Sequence, residues 1–389
     1  MKVKVRNGDT ITYYSRLFSL PPSLILSEDG KETMIQGDTI IIPGYKISPY
    51  QVKQGDTLIG LSEALSVPVD MLHLLNQEKL SENGAYWNIP QRMEDALYSG
   101  KKEYTSETLQ KDAESLTNAY PFIRKEVIGH SVLEKPIIML IIGNGPKKVH
   151  INASFHANEW ITTGVLMEFL QRLAQSAVSN GNLAEIKARK LIEDITIFAV
   201  PMVDPDGVDL VLKGPPAHPE FGPLAMSLNK NSSDFTGWKA NIRGVDLNNQ
   251  FPALWEIEKE RKPQQPSPRD YPGDEPLSEP EAKAMALIAE TYRFDAVIAL
   301  HTQGQEIYWG FEGREPTVSE EVVKKMEQRT GYRALQYLDS YAGYKDWFIY
   351  HFQKPGFTIE LGLGVNPIDL EQFEEIYQQA VQIFLAAME

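Results

Sequence analysis

The segment His150-Ile151-Asn152-Ala153-Ser154-Phe155-His156-Ala157-Asn158-Glu159-Trp160 passes from a strand-like run into the start of an apolar helix. The strand is expected over 149–154 and the helix over 161–174. A histidine and a glutamate three apart stand between them. At a helix start both side chains can point at one ion, although His-x-x-Glu alone is a common spacing and a structural histidine is the other reading. Most of the seven histidines are expected to be structural residues of that kind. His301 stands in the same situation as His156, closing the apolar run 294–300.

Outward from this segment, strand-like runs at 137–142, 195–200, 296–300 and 357–361 alternate with helical patterns at 104–118, 279–292, 320–329 and 370–387. That alternation argues an α/β domain over 100–389, with helices on both faces of a mostly parallel sheet. In such sheets ligands gather at the carboxyl ends of strands, where His156 and His301 fall. Two histidines and a glutamate leave one coordination position open, which is the catalytic zinc arrangement. Two stretches rich in Pro, Gly, Ser and Asn, 214–241 and 262–273, interrupt the pattern, and the first is expected to shape a substrate site.

Composition narrows the classes. The chain is 42% hydrophobic and 23% charged, the balance of a globular protein, and no run approaches the ~18–20 apolar residues of a membrane span. It has no cysteine, which excludes disulfides, thiol catalysis and thiolate-held metals, and a net charge of -15 disfavours nucleic acid. The start, Met1-Lys2-Val3-Lys4-Val5-Arg6-Asn7-Gly8-Asp9, lacks the apolar run of a signal peptide, so a cytoplasmic location is expected.

The first ninety residues repeat at an offset of 47: Gly8-Asp9-Thr10-Ile11 returns as Gly55-Asp56-Thr57-Leu58, and Pro21 as Pro68. Each copy opens with a short alternating strand, turns at Gly-Asp and closes with a strand stopped by proline. This pattern resembles LysM, a small βααβ module of glycan-binding proteins, over residues 1–46 and 47–92. The second copy fits better, with Tyr50-x-Val52-x-x-Gly55-Asp56-Thr57-Leu58 and Asn76; the first has Asp29 at the Asn76 position. The resemblance implies binding to N-acetylglucosamine-containing glycan such as peptidoglycan.

In the larger domain, His156-x-x-Glu159-Trp160, Val203-Asp204-Pro205-Asp206-Gly207, Gly244-Val245-Asp246-Leu247-Asn248, Leu300-His301-Thr302 and Phe357-Thr358-Ile359-Glu360-Leu361 follow one another in this order. The set resembles the zinc carboxypeptidase-like metallopeptidases. That resemblance implies one Zn²⁺ held by His156, Glu159 and His301, with Glu360 as general base and acid. Glu360 ends a buried strand, where desolvation would raise its pKa toward the working range.

The chain also departs from that pattern. The Asn-Arg pair that reads a substrate's C-terminal carboxylate in typical members is Asn248-Asn249 here, so the guanidinium clamp is missing. The arginine of the usual His-x-Arg-Glu form is Asn158, and after Trp238 an expected oxyanion arginine is Lys239, with Arg243 as a spatial substitute. In Gly343-Tyr344-Lys345-Asp346-Trp347, Lys345 falls on the residue that sets side-chain preference and would favour an extra carboxylate. Tyr341 is the first candidate for the tyrosine that closes over substrate, with Tyr337 and Tyr344 open.

LysM modules joined to this variant domain resemble the bacterial γ-D-glutamyl-diamino acid endopeptidases. The resemblance implies hydrolysis of the γ-D-glutamyl–diaminopimelate bond in peptidoglycan stem peptides; glycan-binding modules without an export signal would suit an enzyme that recycles wall fragments or one that acts during sporulation or lysis. A carboxypeptidase or amidase on other acidic peptides, and a catalytically inert wall-binding protein, are the rival readings. The diamino acid and the oligomeric state are left open.

Overall fold

The computed structural model describes residues 1–28, 34–77 and 86–389. By its contacts the chain forms two compact units, one of Met1–Leu97 with Ser115–Ile123 and Gln171–Arg189, the other of Tyr98–Glu114, Arg124–Leu170 and Lys190–Glu389. The first change of unit falls between Leu97 and Tyr98, and two later segments group with the N-terminal unit.

The sequence repeat is a repeat of local chemistry. Thr10 and Thr57 cap helices Ile11–Phe18 and Leu58–Leu65, their side chains accepting from Tyr13 N and Gly60 N. Ser19 and Ser66 end those helices in left-handed backbone, and Ser15 and Ser62 donate to the carbonyls of Leu20 and Val67. In the second copy a second helix, Val69–Asn76, and paired strands Tyr45–Gln51 and Tyr86–Arg92 complete a βααβ unit. The first copy differs: its second helix is a 3-10 turn, Pro22–Leu24, followed by an extra strand, Leu26–Ser27, in a three-stranded sheet.

Asn76 is fully engaged inside its own module. Its side chain donates to the carbonyls of Leu72 and Asn88 and accepts from Asn88 N at 2.7 Å, pinning helix to closing strand. Its counterpart Asp29 lies outside the described residues. A forked ion pair joins the two copies: Arg6 Nη1 and Nη2 lie 2.9 and 3.0 Å from the Asp70 oxygens.

The larger unit is built on an eight-stranded mixed sheet, in the order Arg333–Leu335, Glu306–Tyr308, Gly356–Glu360, Ala296–His301, Lys147–Asn152, Ile195–Val200, Pro136–Ile142, Arg124–His130. The four strands from Gly356–Glu360 to Ile195–Val200 are parallel, with antiparallel joins on either side. Strands such as Ile195–Val200 and Ala296–His301 are buried throughout, which is why they read as continuous apolar runs. On one face, Ile137, Met139 and Ile141 pack in one core with Met285 and Ile288 of helix Pro280–Tyr292 and Trp347 and Phe348 of helix Tyr344–Phe352. Helices Ile161–Ser179 and Phe373–Met388 pack together through Phe169 and Phe384, whose rings are 4.8 Å apart.

Parallel register puts His301 beside Glu360 and Ala299 beside Asn152. The chain leaving Asn152 therefore brings His156 to the same strand ends. Helix Pro205–Lys213 braces that turn: Asp204 caps it through Gly207 N at 2.9 Å. A Cβ on Gly207 would lie 2.1 Å from the Asp204 carboxylate, 2.7 Å from Ala240 O and 2.8 Å from Ala157 Cβ, so only glycine allows this approach. The stretch 214–241 is more ordered than its composition suggests. It holds helix Phe221–Leu228, and Phe235, Trp238 and Ala240 then pack with Ala157 and Leu210.

Candidate metal centre

His156 leaves the central strand in extended backbone and opens the 3-10 turn Ala157–Glu159, which returns Glu159 to the same side. His301 comes up from the adjacent strand. His156 Nδ1 lies 2.8 Å from Glu159 Oε1, His301 Nδ1 lies 2.9 Å from Glu159 Oε2, and the two Nδ1 atoms are 3.1 Å apart. All three residues are buried, and their donor atoms lie within 4.8 Å of one another. Two imidazole nitrogens at that separation can hold a cation between them or share one proton, but cannot carry two. The N,N,O donor set, buried and convergent, fits zinc.

At Glu159 and His301 the electrostatics agree with that reading. Burial alone would raise the Glu159 pKa, but His156 and His301 together hold it below the usual carboxylate range. Burial pushes His301 down, toward the neutral form a ligand needs. For His156 the burial effect is outweighed by Glu159 and Asp246, which raise it. His150, by contrast, is a core histidine: burial takes it to about 3, Phe198 O lies 2.9 Å from its Nδ1, and it stacks on Phe294.

Around the triad stands a shell that sequence reading left without roles. Asp246 Oδ1 lies 3.3 Å from His156 Nε2 and its Oδ2 lies 3.0 Å from Lys239 Nζ. Burial would raise the Asp246 pKa, yet Lys239 and His156 keep it far below its ordinary value. A carboxylate behind the outer nitrogen of a ligating histidine orients the ring and raises its basicity. Asn366 Nδ2 donates to Thr302 O at 2.8 Å and lies 3.5 Å from Glu159 Oε1, and Thr302 Oγ1 donates to Asn366 Oδ1 at 2.7 Å. Asp246 sits inside a quoted motif. Nothing in the sequence around Asn366 marked it.

Glu360 ends its strand half-buried, and its carboxylate makes no hydrogen bond to protein among the described residues. Desolvation first, then the charge of Glu159, pushes its pKa well above the usual carboxylate range. Lys239 is only 19% exposed in its side chain and feels Asp246, Asp270 and Glu159, which hold it protonated against burial. Arg243 turns instead to Glu279, 3.4 Å away, so the two basic candidates are not equivalent. Asn248 Oδ1 accepts Tyr344 N at 3.0 Å, and Asn249 is buried in the turn Leu247–Asn249 capped by Asp246.

Two expectations need correction. Lys345 is not an open cation: it is buried, ion-paired with Asp346, and its Nζ donates to Gly310 O at 3.0 Å. Helix geometry turns it into the wall and leaves no free charge for a substrate carboxylate. Tyr344 is a core residue, 0% exposed and packed among Phe155, Phe251 and Trp347. Tyr341 and Tyr337 instead line a cavity of about 430 Å³ with Phe311, Glu312 and Asp339.

Comparison with known proteins extends this picture. The zinc carboxypeptidase model (peptidase M14) matches residues 109–380. Over 394 aligned residues, covering 100% of both chains, the sequence is 43% identical to gamma-D-glutamyl-L-diamino acid endopeptidase 1 of Lysinibacillus sphaericus. It is 44% identical over 301 residues, 76% of this chain and 80% of the other, to the uncharacterized protein YqgT of Bacillus subtilis (strain 168). Thrombin-activatable fibrinolysis inhibitor shares the fold, with a TM-score of 0.61 at 18% identity, covering 100% of this chain and 96% of that one. The chain thus belongs to the zinc carboxypeptidase family of metallopeptidases, and His156, Glu159 and His301 are the residues that hold its zinc.

Proposed function

We propose that this metallopeptidase hydrolyses the γ-D-glutamyl–diamino acid bond of peptidoglycan stem peptides, with the N-terminal repeats holding it on N-acetylglucosamine-containing glycan. The observation that carries the reading is a complete zinc triad and a poised Glu360 beside amides, Asn158 and Asn249, where a carboxypeptidase needs guanidinium. Without that clamp a free C-terminus is not required, and cleavage within a peptide becomes the better fit. The full-length likeness to an enzyme named for this bond supports the choice.

Zinc in the triad supplies a Lewis acid that polarises the scissile carbonyl and acidifies water. The chain's own residues do the rest. Glu360, held near neutral pH by its surroundings, takes the proton of the attacking water and passes it to the leaving amine of the diamino acid. Lys239, charged and fixed by Asp246, stabilises the developing oxyanion, and Arg243 is engaged elsewhere. Tyr341 at the cavity edge closes over the substrate.

A pair of isomeric substrates tests the reading: L-Ala-γ-D-Glu-L-Lys with its C-terminus free or amidated, against the α-linked isomer. The expected result is cleavage of both γ-linked forms with similar kcat/KM and neglect of the α-linked one. Strict dependence on the free C-terminus would favour a carboxypeptidase.

A further inference from the structure

If the bond is γ-glutamyl, the substrate brings a free α-carboxylate close to the site. In an extended side chain it lies four single bonds of ~1.5 Å from the scissile carbon, hence about 5 Å away. A partly dry site must pair that charge. The family's positions for such a charge hold Asn158, Asn248 and Asn249, and Lys345 is closed off by Asp346. The segments around Lys239, residues 236–244 and 262–270, offer four side-chain cations. Lys239 pairs with Asp246, Arg243 with Glu279 and Lys262 with Glu258. Arg269 has no acidic partner among the described residues.

The loop that carries Arg269 is tied to the segment that carries Lys239. Pro268 O accepts both Lys239 N at 2.9 Å and Ala240 N at 3.1 Å, which ties the loop to the residue beside the triad. Arg269 Nη1 donates a long bond, 3.4 Å, to Gly237 O, and Ser267 Oγ donates to Arg269 O at 2.8 Å. Arg269 is exposed, and its guanidinium has no other hydrogen-bond partner among the described residues. We infer that Arg269 is a specificity residue: it binds the free α-carboxylate of the γ-linked glutamate on the Lys239 side of the site. A planar fork that can reach one carboxylate with two N–H groups suits this task better than an ammonium.

This assignment rests on the γ-glutamyl reading, and its test separates the two. In the full-length zinc enzyme, kcat/KM is measured for L-Ala-γ-D-Glu-L-Lys and for the same peptide with the α-carboxylate amidated, in wild type, Arg269→Ala and Arg269→Lys. Wild type should prefer the acid, and Arg269→Ala should shrink the acid-to-amide ratio about 10- to 100-fold, with Arg269→Lys in between. The dissociation constants of L-Ala-D-Glu and L-Ala-D-isoglutamine, read by calorimetry, should shift in the same ratio. An unchanged ratio in Arg269→Ala overturns the inference. Should wild type cut neither peptide, the bond assignment fails, and the dipeptide ratio alone decides on Arg269.

Discussion

Glu281 offers a quantitative test of how the buried carboxyls behind the metal site behave. It is 0% exposed at the start of helix Pro280–Tyr292; Oε1 accepts Val132 N at 3.1 Å and Oε2 has no partner among the described residues. Burial, helped by the charges of Glu279 and Asp206, raises its pKa from 4.5 to about 8. The folded state therefore keeps a proton that the unfolded chain loses. Stability is full below about pH 4.5 and falls as pH rises through about 8. At 1.36 kcal/mol per unit the loss reaches ~5 kcal/mol. With an unfolding entropy of ~2.1 cal/mol/K per residue, that is ~6 °C in Tm for a chain of this length. Glu281→Gln keeps an acceptor for Val132 N and removes the titration. Thermal unfolding of wild type and variant at pH 5 and pH 9 should give near-equal Tm at pH 5 and a variant several degrees more stable at pH 9. Parallel pH curves for the two proteins would refute the reasoning.

Substitutions at three further positions probe the site. Glu360→Gln should lower kcat by ~10²–10⁴ with zinc content, measured by atomic absorption, unchanged. Asp246→Asn removes the charge 3.3 Å behind His156 and 3.0 Å from Lys239, and should weaken zinc binding by ~10–100-fold in chelator competition. Asn366→Ala frees Thr302 and loosens Glu159; zinc should leave faster in a chelator chase, whereas Asn366→Asp, which cannot donate, should resemble alanine rather than wild type.

The sheet was legible because its central strands are buried on both faces and so read as apolar runs, and the triad because each ligand closes such a run or follows it directly. Short edge strands such as Glu306–Tyr308 and Arg333–Leu335 carry too few residues to show a period. Helix Phe221–Leu228 was hidden by the prolines and glycines around it. The shell was harder to read. Asp246 lies 90 residues in sequence from His156, and Asn366 acts only because the loop after Glu360 folds back over Thr302. Lys345 looked like a free cation because its neighbour Asp346 was read as part of a motif and not as a counter-charge. Charge pairing within one helical turn is decided by rotamer and burial, which a linear pattern does not encode.

The central claim is most directly tested by mass spectrometry of the products from L-Ala-γ-D-Glu-meso-diaminopimelate-D-Ala, with and without a zinc chelator. Release of L-Ala-D-Glu, abolished by chelator and restored by added zinc, is the expected result. Release of terminal D-Ala alone would contradict the account, because it would show a carboxypeptidase working without a guanidinium at Asn249.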